Sequence, residues 1–435
     1  MPAPKRIGKY EIIKPLGEGA TATVYLARDP FAQRDVAIKA VNAAAFDSGA
    51  HDGQIARKLF VAEASLAGKL AHPHIVQIYD AVADADPSYI VMEYVPGGTL
   101  EPYTKPDNLL PLADIVEIIF KCSRALEFAQ RIGVIHRDLK PANILRGSAA
   151  AGATDIKISD FGAALSINSD QTQVSGIGSP AYMSPQQVKE HPLNHQTDIW
   201  SLGVVMYQLL TGHLPFEGSN NYSIIYQICN TEPPPPSRLR PGIPPAIDAI
   251  VARAMNKSLE QRYATWDDFS FALADAFRNA HFAELRDARI SDTEKFNLLR
   301  KLSFFRGFSD VDLWEVLRLT EWQRAKQGEV LMREGEQGAY FCVLAQGEIK
   351  VTKQGKLLNV LSAGECFGEM AYLTPERSAR TAEVTALREA VVIKVGTEAL
   401  ALASQSTRHA FDRALLRILV ERLDLANTRL TSAVL

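Results

Sequence analysis

Between residues 10 and 95, apolar and polar side chains alternate in short runs, Thr23-Val24-Tyr25-Leu26 and Tyr89-Ile90-Val91-Met92 among them. A period of two belongs to strands with one buried face, so this segment predicts a small antiparallel sheet, interrupted by one helix at about residues 57–70. From Ile115 the period lengthens. Ile115, Ile118, Ile119, Cys122 and Leu126 share one stripe, and so do Ile199, Leu202, Gly203, Met206, Leu209 and Leu210, which predicts a mostly helical region. Residues 278–296 are charged and lack a sustained apolar stripe until Phe296; they read as a linking helix. Beyond them strands and glycines recur, in Gly328-Glu329-Val330-Leu331, Gly347-Glu348-Ile349-Lys350-Val351 and Leu361 to Gly364. That spacing suggests a β-barrel. An amphipathic helix from Phe411 to Leu430 follows it.

Composition narrows this picture. A chain of 435 residues with 47% apolar content can fill more than one core, so two or three packed units are expected. The net charge of -3, with no block of like charge, gives no reason to expect nucleic acid or an anionic membrane as partner. Cys122, Cys229, Cys342 and Cys366 stand far apart without a metal-ligand spacing and read as buried thiols in a reducing compartment. Met1 to Tyr10 lacks the apolar core of a signal peptide, and no later stretch is long enough to span a bilayer, which leads us to expect a soluble cytoplasmic protein. The Pro233 to Pro236 run reads as a stiff internal loop.

Candidate chemistry begins at Leu16-Gly17-Glu18-Gly19-Ala20-Thr21-Ala22-Thr23-Val24. Two glycines between strands let backbone amides approach phosphates that a side chain would keep away. Lys39, ending Val36-Ala37-Ile38-Lys39, supplies a fixed positive charge, and Glu63 is a carboxylate able to orient it. Further on come His136-Arg137-Asp138-Leu139-Lys140-Pro141-Ala142-Asn143 and Asp160-Phe161-Gly162. His72 and His74 sit in a loop before a strand and read as structural.

In this order the motifs resemble the protein kinase signature set, over about residues 10–277. The resemblance implies a two-lobed α+β fold, with an N-lobe at 10–94 and a C-lobe at 95–277. It implies that Lys39, oriented by Glu63, holds the ATP phosphates, and that Leu16, Gly17, Gly19, Val24, Ala37, Met92, Glu93, Val95 and Leu145 form the nucleotide pocket. Asp138 would orient and deprotonate the substrate hydroxyl, Lys140 is the residue that serine/threonine kinases carry there, and Asn143 and Asp160 would hold Mg²⁺. The family's third loop glycine is Ala22 here. Ser166 to Ser175 and Gly178-Ser179-Pro180 resemble an activation segment, with Ser175 and Thr172 as phosphorylation candidates facing Arg137 and Ser179 beside Asp138. The family's glutamate after Pro185 is Gln186, so its expected ion pair with Arg262 becomes a neutral hydrogen bond.

Residues 297–435 resemble the cyclic-nucleotide-binding domain, a jelly-roll-like β-barrel with flanking helices, on Phe367-Gly368-Glu369-Met370-Ala371-Tyr372-Leu373 and Arg380-Thr381-Ala382-Glu383-Val384. The resemblance implies that Gly368, Glu369, Arg380 and Thr381 line a site for cAMP or cGMP, with Glu369 on the ribose hydroxyl and Arg380 on the phosphate; Arg377 is the rival for the phosphate. The terminal helix fits a lid over the nucleotide or a contact within a homodimer. The expected function is a serine/threonine protein kinase using ATP and Mg²⁺ on protein substrates, under cyclic-nucleotide control. The competing readings are a silent kinase fold that presents the nucleotide signal to a partner, and an active kinase whose barrel is only structural or dimerising.

Overall fold

The computed structural model describes residues 4–19, 22–41, 60–61, 63–148, 154–161, 165–166, 180–279, 292–373 and 379–434. The chain divides into two compact units, Met1–Asp287 and Ala288–Leu435. The linking helix expected at residues 278–296 falls across this division: its first two residues end one helix, its last five open another, and residues 280–291 lie outside the described set.

The first unit opens with an antiparallel six-stranded sheet of β1 (Arg6–Ile7), β2 (Tyr10–Glu18), β3 (Ala22–Asp29), β4 (Arg34–Val41), β5 (Ile78–Val82) and β6 (Tyr89–Glu93), in the order β1-β2-β3-β4-β6-β5. Alternation along β4 sorts its side chains between two cores. Val36, Ile38 and Ala40 join Tyr10, Ala27, Tyr89 and Val91 on one face. Ala37 and Val41 join Phe60, Val76, Ile90, Met92 and Val95 on the other. Lys39, between Ala37 and Val41, is therefore projected on the second face. The helix expected at about residues 57–70 is shorter among the described residues: 60, 61, 63 and 64 are helical, and turns follow at 65–69.

The rest of the unit is mainly helical: α1 (Leu112–Arg131), α2 (Pro185–Val188), α3 (Gln196–Thr211), α4 (Asn221–Asn230), α5 (Pro236–Leu239), α6 (Pro245–Ala254) and α7 (Trp266–Asn279). Nearly every residue of α3 is buried, as for a helix at the centre of a helical layer. Gly203 permits this, because a Cβ there would lie 2.9 Å from the Ala254 Cβ of α6. Pro236 and Pro245 each open a helix, where a missing N–H costs nothing. Between these helices short strands carry the chemistry: β7 (Val134–Ile135), β8 (Ile144–Arg146), β9 (Ile156–Ile158) and β10 (Leu165–Ser166), with β8 pairing β9 and β7 pairing β10.

The second unit holds two four-stranded antiparallel sheets. One is β11 (Thr320–Ala325), β18 (Ala390–Gly396), β13 (Tyr340–Gln346) and β16 (Cys366–Phe367); the other is β12 (Val330–Met332), β17 (Glu383–Ala386), β14 (Glu348–Lys353) and β15 (Lys356–Ser362). Residues from both sheets share one core, Leu344, Phe367 and Val392 from the first with Ile349, Leu361 and Val384 from the second. Around them lie α8 (Asp292–Lys301), α9 (Asp310–Leu319), α10 (Met370–Leu373), α11 (Thr397–Ala401) and α12 (Gln405–Val434). Phe411 of α12 packs among Phe304, Phe305, Phe308 and Phe341, with centroids 5.1–6.2 Å away. Among the described residues no helix is long and apolar enough to cross a membrane.

Candidate functional site

In the first unit the charges converge on the sheet face that carries Lys39. Its Nζ lies 2.8 Å from Glu63 Oε2 and 2.5 Å from Asp160 Oδ1. Burial alone would lower the Lys39 pKa, but Asp160 and Glu63 outweigh it and hold the ammonium above its usual value. Asp160 mirrors this: burial works upward, and Lys39 holds the carboxyl below its usual value. Beside them Val24, Ala37, Met92, Val95 and Leu145 belong to one apolar cluster, a slot fit for a flat aromatic base. Glu93 follows Met92 at the end of β6; its N–H donates to Gln77 O and its carboxylate pairs with Lys157 at 3.1 Å. Leu16 stays 41% exposed. At Gly17 a Cβ would meet no atom of the described residues within 4 Å, which leaves room beside the loop. Gly19 N–H donates to Ala22 O at 2.8 Å and closes the loop.

Asp138 is held by the loop between β7 and β8. Lys140 Nζ reaches its Oδ2 at 2.8 Å, and Asn143 Nδ2 donates to its backbone O at 2.7 Å and to Oδ2 at 3.2 Å. The geometry of this loop is imposed from α3. The buried carboxylate of Asp198 accepts the N–H groups of His136 and Arg137, both at 2.8 Å, and burial raises its pKa against those donors. His136 Nε2 donates to Ser159 O at 2.9 Å, which leaves Nδ1 to accept the Asp138 N–H at 3.3 Å. Arg137 (φ 69°) and Asp160 (φ 60°) both occupy the left-handed region, a strain that persists only where the surroundings over-determine it.

Asn143, whose amide nitrogen is spent on Asp138, leaves its carbonyl oxygen to a cation, and Asp160 adds a carboxylate. Among the described residues no group of three or more His, Cys, Asp or Glu could hold a metal by itself. A two-donor oxygen set suits a hard cation that takes its remaining ligands from phosphates and water. Gly162, Thr172, Ser175, Ser179 and Arg377 lie outside the described residues, as does the tip of the glycine loop at 20–21. Gln186 Oε1 accepts from both terminal nitrogens of Arg262, at 3.3 and 3.2 Å, the neutral contact expected.

The second unit has a cavity of about 300 Å³, lined among others by Met332, Leu358, Phe367, Glu369, Arg380 and Thr381. Arg380 is 7% exposed; it donates to Gly368 O at 3.0 Å and Tyr340 O at 2.7 Å and lies 4.4 Å over the Tyr340 ring. Only carbonyls satisfy this buried cation among the described residues. Gly368 (φ 74°) has no substitute, because a Cβ would come within 2.8 Å of Arg380 Nη1 and of the Met332 methyl. Glu369 is ion-paired with Arg422 of α12, which also lines the cavity. Sequence reasoning missed Arg422. The signal was available, since Phe411, Leu415, Ile418 and Arg422 fall on one helical stripe, and a charge there must meet a partner.

The family profile described as "Protein kinase domain" matches residues 10–268, and that described as "Cyclic nucleotide-binding domain" matches residues 322–405. Among curated proteins, the serine/threonine-protein kinase PknB of Mycobacterium leprae is 40% identical over 265 residues, 59% of this chain and 41% of the relative. The serine/threonine-protein kinase PrkC of Bacillus subtilis is 36% identical over 293 residues, 67% of this chain and 44% of the relative. The chain spans less than half the length of these curated relatives.

Proposed function

Because the chain belongs to the protein kinase family, whose profile matches more than half of it, we propose that it transfers the γ-phosphoryl group of ATP to serine or threonine hydroxyls of protein substrates, under the control of a cyclic nucleotide in its barrel. The catalytic unit is then residues 10–277 and the sensor residues 297–435. One observation carries the catalytic reading: Lys39 joined to both Glu63 and Asp160, beside an Asp138 tied to Lys140 and Asn143. The printed names of the relatives supply the hydroxyl class.

In this reading the adenine lies in the slot around Val24, Ala37 and Leu145, and Lys39 sets the charge that positions the phosphates. Mg²⁺, held by Asn143 and Asp160, would offset phosphate charge. Asp138 accepts the proton of the attacking hydroxyl, and Lys140, on its other side, stabilises the charge that develops on the transferred group. The barrel reading is supported by a buried arginine without a carboxylate partner among the described residues, at the wall of a cavity of nucleotide size. Arg380 takes a cyclic phosphate there, and Glu369 a ribose hydroxyl.

The test is phosphorylation of a generic basic protein by the full chain with labelled ATP. Asp138→Asn should lower the rate at least about 100-fold while the thermal midpoint stays in place, since it acts on reacting charge and fills no core; Lys39→Met should lower the rate as far and, by leaving Glu63 and Asp160 without their cation, the midpoint as well. Activity within a few-fold of wild type in the Asp138 variant removes its assigned role. Calorimetry with cAMP and cGMP, beside kinase rates, tests the second half: Arg380→Ala should abolish binding and the response to nucleotide and spare the basal rate. Unaltered binding in this variant would overturn the phosphate assignment.

A further inference from the structure

Arg380 is held without being neutralised. Its backbone is pinned first: its N–H donates to Glu336 O, and its carbonyl accepts from the Gly335 N–H, both at 2.8 Å. The guanidinium then fills a niche that two glycines leave open, since a Cβ at Gly338 would lie 2.6 Å from Nη2 and one at Gly368 would lie 2.8 Å from Nη1. Gly368 O and Tyr340 O accept from it, and among the described residues no carboxylate does. The Tyr340 ring, with its centroid 4.4 Å from Cζ, completes the niche.

Tyr340 opens β13, and the strand is fixed on both sides of it. Ala339 O accepts from the Thr397 N–H at 2.9 Å and from its hydroxyl at 3.0 Å, while Phe341 is fully buried. A second cation shares the ring: Lys394, opposite Cys342 in the β13–β18 register, has its Nζ 4.6 Å from the centroid. Lys394 has a carboxylate of its own, because Glu321 of β11 stands opposite it and meets Nζ at 3.1 Å. The ring is therefore what faces the charge of Arg380. A carboxylate in its place would orient the guanidinium but cancel its charge and occupy N–H groups that an oxyanion needs. A π face attracts the cation through its quadrupole and does neither.

We infer that Tyr340 is a positioning residue of the anion site: its ring fixes the plane of the Arg380 guanidinium and leaves the charge and the remaining N–H groups to a phosphate. The inference rests on the cyclic-nucleotide reading for the identity of that phosphate and on the niche itself for the positioning. Tyr340 is not among the described residues that line the cavity, whereas Arg380 and Gly368 are, so it acts on a ligand through Arg380. Affinity for phosphate is thereby tied to the electron density of one ring.

Isosteric replacement of the ring separates this role from packing. Calorimetry on the full chain with cAMP, cGMP and inorganic phosphate compares the wild type, Tyr340→Phe, Tyr340→Leu, and phenylalanines at position 340 whose added ring fluorines drain the π face at nearly constant shape. Affinity should stay within about twofold in Tyr340→Phe, fall stepwise with fluorine to about five- to tenfold, and fall at least as far in Tyr340→Leu, with the thermal midpoint of the fluorinated proteins unmoved. Equal affinity across the fluorinated series overturns the inference, because packing and not the charge distribution of the ring would then be at work. If neither cyclic nucleotide binds at millimolar concentration but phosphate binds and weakens with fluorine, the nucleotide reading falls and the positioning role stands. If phosphate fails to bind as well, both fall.

Discussion

Replacing Gln186 by glutamate should stabilise the protein, an unusual expectation for a buried charge. Arg262 is 1% exposed, and among the described residues its guanidinium meets no carboxylate: it donates to Asn256 O, Gln196 O and Gln186 Oε1, and lies 5.1 Å over the Trp200 ring. Burial lowers its pKa from 12.5 to about 10, a penalty on the charged form of about 3 kcal/mol. Gln186, 9% exposed, already accepts from both terminal nitrogens through one oxygen. A carboxylate there converts two neutral acceptances into charge-assisted bonds, roughly twice as strong, against a desolvation cost of its own of several kcal/mol. The expected net gain is about 1–2 kcal/mol, or about 3–6 °C in the midpoint of a unit this size. Scanning calorimetry at neutral pH measures it. The control is the same substitution with Arg262→Met, where an unpaired buried carboxylate should instead lower the midpoint. An unchanged or lower midpoint in the wild-type background would show that carbonyls and the Trp200 face already satisfy Arg262, and would refute the reasoning.

Two other predictions follow from groups that burial leaves in unfavourable states. Lys257 Nζ lies 4.8 Å over Trp200 and 4.2 Å over Phe216, and burial lowers its pKa from 10.5 to about 8. The unfolded chain therefore holds that proton more tightly, and this residue's contribution to stability rises as pH climbs from about 8 to 10.5. Relative to Lys257→Met, the wild type should gain about 1–2 kcal/mol between pH 7 and pH 10, after discounting for its partly exposed stem; a difference independent of pH rejects this. Arg137 has a buried Nε without a hydrogen-bond partner among the described residues, and burial lowers its pKa. In the proposed reading it is the cation for a phosphate at Ser175 or Thr172: incubation with ATP should phosphorylate residues within 166–179, and Arg137→Ala should remove the resulting activation. Mass spectrometry showing phosphate only elsewhere would exclude it.

What the sequence disclosed, it disclosed through periodicity and through motifs whose charges sit close along the chain. Alternation along Val36-Ala37-Ile38-Lys39 puts Lys39 on the face of Ala37, and the stripe through Ile199 and Leu202 foretells a buried helix. Distances across the fold stayed hidden. That Asp198 clamps His136 and Arg137 from 62 and 61 residues away depends on how α3 packs beneath the loop. The left-handed backbone of Arg137 has no propensity signal and that of Asp160 only the mild one aspartate carries, so the surroundings impose both. Past Glu63 the helix gives way to turns at 65–69, before the apolar pattern ends, because pattern marks a buried face and not where hydrogen bonding stops.

Two of the buried arginines show where composition and geometry part. Arg262 and Arg380 both lie in the interior, both stack on an aromatic ring, and both donate to backbone carbonyls. In sequence each is an arginine in a folded segment. Their surroundings assign them opposite consequences. Arg262 is enclosed by protein, so its missing anion can be supplied only by substitution and appears as stability. Arg380 lines a cavity of about 300 Å³, so its missing anion can arrive from solution and appears as binding. In the proposed reading a buried arginine held by carbonyls weakens the fold where protein encloses it and prefers an anionic ligand where a cavity opens beside it, and Arg422 cannot supply that anion, because it is itself a cation whose charge Glu369 offsets.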